Sequence, residues 1–129
     1  MANQSIFIAN DDQTYLDLVK EVLNDAGYTN VTMHIGTSVF HKIRDIQPDL
    51  ILLDIHIANP ARGWTNLDML TLHPKTRHIP IIICSTDMRL INEKADLLHH
   101  LECQTLEKPF DLEMLIEKVA SAIGPPSTM

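Results

Sequence analysis

Short apolar runs that end in polar residues, and that alternate with stretches of helical spacing, constrain the fold of this chain more than any other feature. Such runs are typical of strands that are buried on both faces of a parallel sheet. After the first run, Leu16, Val19 and Leu23 recur on one helix face, and Gly27 follows where a left-handed residue usually ends a helix. The pattern predicts strands at residues 5–9, 31–34, 49–53, 79–84 and 104–107, the last being the weakest.

Helical spacing follows every predicted strand. The first helix contains Leu16 to Ala26, and the last begins after Asp111, a natural N-cap. Strands and helices that alternate in this way predict parallel pairing with helices on both faces. We therefore expect an α/β fold, a flavodoxin-like doubly wound five-stranded parallel sheet in the order 2-1-3-4-5 with five helices. The domain should cover residues 1–124, with 125–129 as a tail or the start of a linker; the three middle helices are predicted at 37–46, 64–72 and 90–101.

Composition narrows the class of protein. The net charge of −7 argues against direct nucleic-acid binding, because a basic surface is needed to displace counterions from a phosphate backbone. No apolar stretch has the length of a membrane span, and the N-terminus lacks the pattern of a signal peptide. Two cysteines do not form the framework of a disulfide-stabilised secreted domain. We expect a cytoplasmic protein that does not bind membranes.

Polar residues follow the predicted strands at the ends that a parallel sheet brings together. Asp11 and Asp12 follow the first strand, Asp54 the third, Ser85 the fourth and Lys108 the fifth. Carboxylates this close repel one another unless a cation lies among them, and oxygen ligands favour Mg²⁺. An aspartate beside a divalent cation and a lysine is arranged for phosphoryl transfer, in which Asp54 would attack and Ser85 would donate a hydrogen bond to a phosphoryl oxygen.

At these residues the chain resembles the response-regulator receiver domains of two-component signalling systems, over nearly its whole length. The resemblance rests on Asn10-Asp11, Asp54, Ser85 and Lys108-Pro109, in that order along the chain. It implies that Asp54 is the phosphoacceptor, that Ser85 and Lys108 engage the phosphoryl oxygens, and that the Lys108-Pro109 bond is cis.

The resemblance also implies a magnesium site. Asp11 and Asp54 would be its direct carboxylate ligands, and His56 would offer its backbone carbonyl oxygen. Asn10 and Asp12 are ligand candidates of second rank. Asp12 by itself fits the N-cap of the first helix better than it fits a metal ligand, by roughly two to one. Thr86 could take the role of Ser85 if the register differs by one residue.

The implied function is that of a phosphoacceptor rather than an enzyme with a turnover substrate, with slow autodephosphorylation as its only catalysis. Asp54 would receive the phosphoryl group from a sensor histidine kinase or a phosphotransfer protein. Phosphorylation would shift an equilibrium between two conformers and so change binding to a downstream protein or to an effector domain absent from this chain. Dimerisation would be compatible with this role.

Three departures from the family pattern favour an alternative. Asn10 replaces an acid, the loop after Asp54 has Ile57-Ala58 and is one residue longer than usual, and Thr105 stands where the family usually has an aromatic switch residue. The alternative is a degenerate pseudo-receiver that binds proteins without being phosphorylated. A flavodoxin-like enzyme or cofactor binder is less well supported, since four glycines supply no phosphate-binding loop.

Overall fold

A single parallel sheet of five strands forms the centre of the molecule. The computed structural model describes residues 4–10, 12–34, 39–54, 60–85, 88–100, 103–107 and 111–125. The strands are β1 (Ile6–Ala9), β2 (Val31–His34), β3 (Leu50–Asp54), β4 (Ile81–Ser85) and β5 (Gln104–Glu107). They lie in the order β2-β1-β3-β4-β5, and every neighbouring pair is parallel. The predicted fold class and strand order are confirmed.

Helices connect successive strands, as a parallel sheet requires. Within the described ranges they are α1 (Gln13–Asp25), α2 (Val39–Ile46), α3 (Pro60–Leu72), α4 (Met88–Glu93), α5 (Ala95–His100) and α6 (Leu112–Ile123). None of these helices is both long enough and apolar enough to cross a bilayer.

The ends of α1 and α6 follow the signals in the sequence. Asp12 caps α1 and Asp111 caps α6, each through a side-chain oxygen that accepts backbone N–H groups of the first turn. Gly27 and Gly124 follow these helices with φ of 108° and 83°, values that L side chains rarely adopt. Both predicted N-caps and the predicted end of α1 are thus observed.

Two helical segments differ from the prediction. Helix α3 begins at Pro60 rather than at residue 64, since proline is well suited to the first helical position, where its missing N–H costs no hydrogen bond. The helix predicted over residues 90–101 is divided at Lys94 into α4 and α5. The backbone N–H of Lys94 donates to the carbonyl of Ile91, three residues back rather than four. This tighter turn interrupts the α-helical pattern.

Strand β3 is buried on both faces, which explains why its sequence is apolar without alternation. Ile51 and Leu53 belong to the core on one face, together with Phe40 and Leu67 from α2 and α3. Leu50 and Leu52 belong to the core on the other face, where α1 and α6 pack. Burial of each such side chain contributes roughly 1.5–3 kcal/mol. The sequence therefore fixes β3 at the centre of the sheet and leaves its last residue, Asp54, at the edge.

Candidate functional site

The carboxyl ends of β1, β3 and β4 meet at one edge of the sheet, which we call the carboxyl edge. Ala9 is aligned with Leu53, and Asp54 is aligned with Cys84 on the following strand. Asp54 is half-buried, whereas the four residues before it in β3 are buried. The strand therefore delivers one carboxylate to the surface at the point where a doubly wound sheet places its reactive site.

Asn10 is the residue after β1, and it shapes the start of the loop between β1 and α1. It is only 3% exposed, its backbone N–H donates to His34 O (3.2 Å), and its Oδ1 accepts from the backbone N–H of Asp12 (2.9 Å). This is an Asx-turn, in which the side chain replaces a backbone carbonyl. The amide oxygen of Asn10 stabilises the loop by accepting this hydrogen bond, and a neutral side chain is sufficient for that interaction.

Asp12 is exposed and occupies the N-cap of α1. Its Oδ1 accepts from Thr14 N (2.9 Å) and Tyr15 N (3.4 Å). These bonds satisfy backbone donors that have no partner within the helix. The geometry therefore gives Asp12 the capping role that was favoured from its position in the sequence.

Tyr15, in the first turn of α1, reaches the same edge, and it was not among the predicted site residues. Its side chain packs, partly buried, against the core that contains Cys84. The pKa of Tyr15 is raised well above its ordinary value. Burial is the largest cause, followed by the charge of Cys84 in its ionised form, a hydrogen bond with the Cys84 side chain and the charge of Asp54. Its hydroxyl therefore stays protonated and can donate a hydrogen bond.

Several predicted site residues lie outside the described ranges. These are Asp11, His56 and Lys108. Ser85 ends β4 and is aligned with Glu107 of β5, but its side chain is not described. The structure thus brings Asn10, Asp54 and the backbone of Ser85 to one edge, and the placement of Asp11, His56 and Lys108 there remains a prediction.

Oxygen donors at the carboxyl edge fit a hard cation. Asp54 contributes a carboxylate, and Asn10 and Asp12 contribute oxygens of which each Oδ1 already accepts backbone hydrogen bonds. Among the described residues, no three histidine, cysteine or acidic side chains converge as a metal-binding group would. Carboxylate and carbonyl oxygens are the ligands that Mg²⁺ prefers. The described donors therefore suit Mg²⁺ by their chemistry.

A five-stranded parallel sheet in this order has the flavodoxin-like doubly wound architecture, and here an aspartate ends its central strand. The family model described as response regulator receiver domain matches residues 6–120. The chain belongs to this family.

Individual relatives agree with this assignment. The polar-differentiation response regulator DivK of Brucella ovis is 25% identical over 122 residues, which cover 94% of this chain and 97% of DivK. The structure of the chemotaxis protein CheY4 of Vibrio cholerae superposes with a TM-score of 0.79 at 21% identity, covering 95% of this chain and all of that chain (100%). At this identity, the likeness to CheY4 bears on the fold alone.

A second similar structure is the receiver domain of the sensor histidine kinase PA1611 from Pseudomonas aeruginosa, described with a magnesium ion coordinated in its active site cleft. Its TM-score is 0.78 at 21% identity, and the match covers 95% of this chain and 99% of that chain. Receiver domains act mainly as phosphoacceptors and interact with histidine kinases or phosphotransfer proteins and with downstream targets. The chain is accordingly a receiver domain of two-component signalling.

Proposed function

We propose that Asp54 accepts a phosphoryl group from the phosphohistidine of a sensor histidine kinase or a phosphotransfer protein. The observation that carries this proposal is the position of Asp54, the half-buried last residue of a central strand that is otherwise buried. Membership of the receiver family supports it, because phosphoacceptance is the main activity of these domains. The phosphorylated state would then change which proteins the domain binds.

In the proposed reaction, a carboxylate oxygen of Asp54 attacks phosphorus. The bond between phosphorus and the imidazole nitrogen breaks, and the imidazole leaves with the electron pair. The product is an acyl phosphate on residue 54. Attack by water on the same phosphorus releases inorganic phosphate and restores the carboxylate, which is the slow autodephosphorylation that we assign to the domain.

A bound Mg²⁺ would offset negative charge on the phosphoryl oxygens. We propose Asp11, Asp54 and the backbone carbonyl of His56 as the residues that hold it, with Asn10 and Asp12 of second rank. The oxygen-donor chemistry of the described members of this set supports the metal. The magnesium described in the cleft of the PA1611 receiver domain adds support from a similar fold.

Ser85 and Lys108 complete the proposed machinery by donating to phosphoryl oxygens. Ser85 ends the strand beside β3, so its backbone position supports this role. A cytoplasmic location is part of the proposal, and the two free cysteines suit a reducing compartment. We further propose that the output passes through a downstream protein or an effector domain outside this chain, with dimerisation as one form of that output.

A phosphoryl-donor assay tests the proposal. The folded protein is incubated with acetyl phosphate in the presence of Mg²⁺, and the intact mass is measured; EDTA replaces Mg²⁺ in a parallel sample. We expect one phosphoryl adduct that depends on Mg²⁺ and disappears in Asp54→Asn. An adduct that forms equally well in EDTA would contradict the magnesium assignment.

One observation favours the alternative, a pseudo-receiver that binds partners without phosphorylation. The Oδ1 of Asn10 accepts the Asp12 N–H, so an oxygen that could help to hold a cation already has a structural role. Asn10→Asp separates the two functions. If Asn10→Asp forms an adduct at high donor concentration and the wild-type chain does not, the loss of one charge has made the natural chain a binding module.

A further inference from the structure

The hydroxyl of Tyr15 is a polar group at the carboxyl edge that the proposed reaction leaves without a role. Tyr15 lies in the first turn of α1, and this turn starts directly after the loop that follows β1. Its side chain packs against the core on the α1 and α6 face, which includes Cys84 of β4. Because Cys84 is aligned with Asp54 in neighbouring parallel strands, both side chains lie on the face of the sheet that α1 and α6 cover, and Tyr15 packs on that same face.

Two interactions hold the backbone at Tyr15, namely the helix cap and the packing of the next residue in the core. The N-cap oxygen of Asp12 accepts the Tyr15 N–H at 3.4 Å, and the next residue, Leu16, is fully buried. The ring is therefore attached to a helix start that the core and the cap hold in place. A side chain on such a support can contact a ligand without a large loss of conformational entropy.

The hydroxyl of Tyr15 shares a hydrogen bond with the side chain of Cys84. A thiol is a weak partner, because its sulfur is a weak acceptor and its S–H a weak donor. A phosphoryl oxygen carries negative charge, and hydrogen bonds to charged groups are about twice as strong as those between neutral groups. A tyrosine hydroxyl is protonated at neutral pH, so it can change partner without losing a proton.

We propose that the Tyr15 hydroxyl leaves Cys84 and donates a hydrogen bond to a phosphoryl oxygen when Asp54 is phosphorylated. This assignment rests on the proposed function, and it adds Tyr15 to the groups that contact the phosphoryl group. It also connects the state of Asp54 to the start of α1. Phosphorylation would thereby be transmitted to a helix as well as to the ends of β4 and β5.

The test uses beryllofluoride, which mimics the phosphoryl group, together with Mg²⁺. The chain contains two tyrosines, so labelling with 3-fluorotyrosine gives two fluorine resonances that Tyr28→Phe assigns. We expect beryllofluoride to shift the Tyr15 resonance and to leave that of Tyr28 unchanged. Tyr28 is a suitable internal reference, because its hydroxyl donates to Gly124 O (2.8 Å) beyond the end of α6.

Affinity provides the second readout. Removal of one hydrogen bond to a charged group should weaken beryllofluoride binding about tenfold in Tyr15→Phe. The matched control, Tyr28→Phe, loses the same hydroxyl away from Asp54 and should bind beryllofluoride as the wild type does.

The outcomes separate the two proposals. A Tyr15 resonance that does not move, or Tyr15→Phe with wild-type affinity, overturns the Tyr15 assignment while the wild-type adduct still supports phosphoacceptance. Absence of a beryllofluoride complex in the wild type overturns both. The shift is measured in the wild-type chain, and the Tyr28→Phe variant is needed only to assign the two resonances.

Discussion

The two edges of the sheet are held by different interactions. At the edge of the sheet where the strands begin, which we call the amino edge, Ser5 and Asp49 exchange two hydrogen bonds of 2.8 Å each. The backbone N–H of Ser5 donates to the Asp49 carboxylate, and the backbone N–H of Asp49 donates to the backbone carbonyl of Ser5. The side chains of Tyr28 and Gln4 donate to backbone carbonyls at the end of α6, including Gly124 O. These hydrogen bonds connect the ends of separate elements and so serve the stability of the fold.

The carboxyl edge is built differently. Asn10 and Asp12 bond mainly within their own loop, and Asp54 ends its strand half-buried beside Tyr15 and Cys84. Hydrogen bonds here orient polar groups and leave a carboxylate at the surface. The contrast predicts that substitutions at the amino edge lower stability and spare the chemistry, whereas loss of the Asp54 carboxylate at the carboxyl edge removes the chemistry with little loss of stability.

The largest expected change in stability comes from Tyr28 at the amino edge. Tyr28 is 1% exposed and belongs to the core on the α1 and α6 face. Tyr28→Ala should lower the free energy of unfolding by about 3–5 kcal/mol, because truncation of a buried aromatic ring leaves a cavity. Tyr28→Phe should cost about 1 kcal/mol for the hydroxyl alone. Urea denaturation measures both, and a Tyr28→Ala protein as stable as the wild type would break the comparison.

Asp12 provides a test at the carboxyl edge that separates capping from metal binding. Asp12→Ala should cost about 1 kcal/mol through loss of the N-cap, while Asp12→Asn should retain most of the stability, because asparagine caps equally well. If Asp12 is a cap and not a ligand, Asp12→Asn also retains the Mg²⁺ affinity measured by titration. A clear loss of Mg²⁺ affinity in Asp12→Asn would move Asp12 into the metal site.

Asp49 should give a smaller effect at the amino edge. Asp49→Ala removes the oxygen that accepts the Ser5 N–H at 2.8 Å and should lower stability by about 0.5–1 kcal/mol. Asp45 is the matched control, because its exposed carboxylate pairs with Arg44 at 3.3 Å. Asp45→Ala should change stability by about a few tenths of a kcal/mol, near the lower end of the range for exposed ion pairs. Equal losses in both variants would show that the Ser5 contact contributes nothing specific.

The last expected effect is a dependence of stability on pH that appears only in alkaline solution. Burial raises the pKa of Cys103 from 9.0 to about 11. Because the folded-state pKa is the higher one, the contribution to stability is complete below pH 9.0 and is lost as the pH rises through about 11. Unfolding measured across this window should show a flatter decline in Cys103→Ala than in the wild type, and parallel declines would exclude this contribution.

The fold could be predicted because its determinants are local. Continuous apolar runs specify the strands. Asp12 and Asp111 specify the starts of two helices, and Gly27 specifies the end of one, each through residues that are close in sequence. The less accurate boundaries depend on tertiary context. Spacing alone does not show that the chain tightens at Lys94, nor that Gln47 ends α2 with a φ of 54°.

The candidate site was predictable in part for the same reason. Asp54 follows from its place after an apolar strand, and Asn10 from its place after β1. Tyr15 was missed because its proximity to Asp54 depends on the alignment of β3 with β4, a long-range contact. An aromatic residue in the first turn of α1, just after a strand end, is the signal that could have identified it. Asp11, His56 and Lys108 remain predictions from the family pattern.

Chemical location of the phosphoryl group tests the central claim most directly. After treatment with acetyl phosphate and Mg²⁺, borohydride reduces an aspartyl phosphate to homoserine, and peptide mass spectrometry identifies the position. We predict homoserine at residue 54 in the wild type. Homoserine at residue 11 or 12, or none anywhere in a folded and fully sequenced chain, would contradict the assignment of Asp54 as the phosphoacceptor.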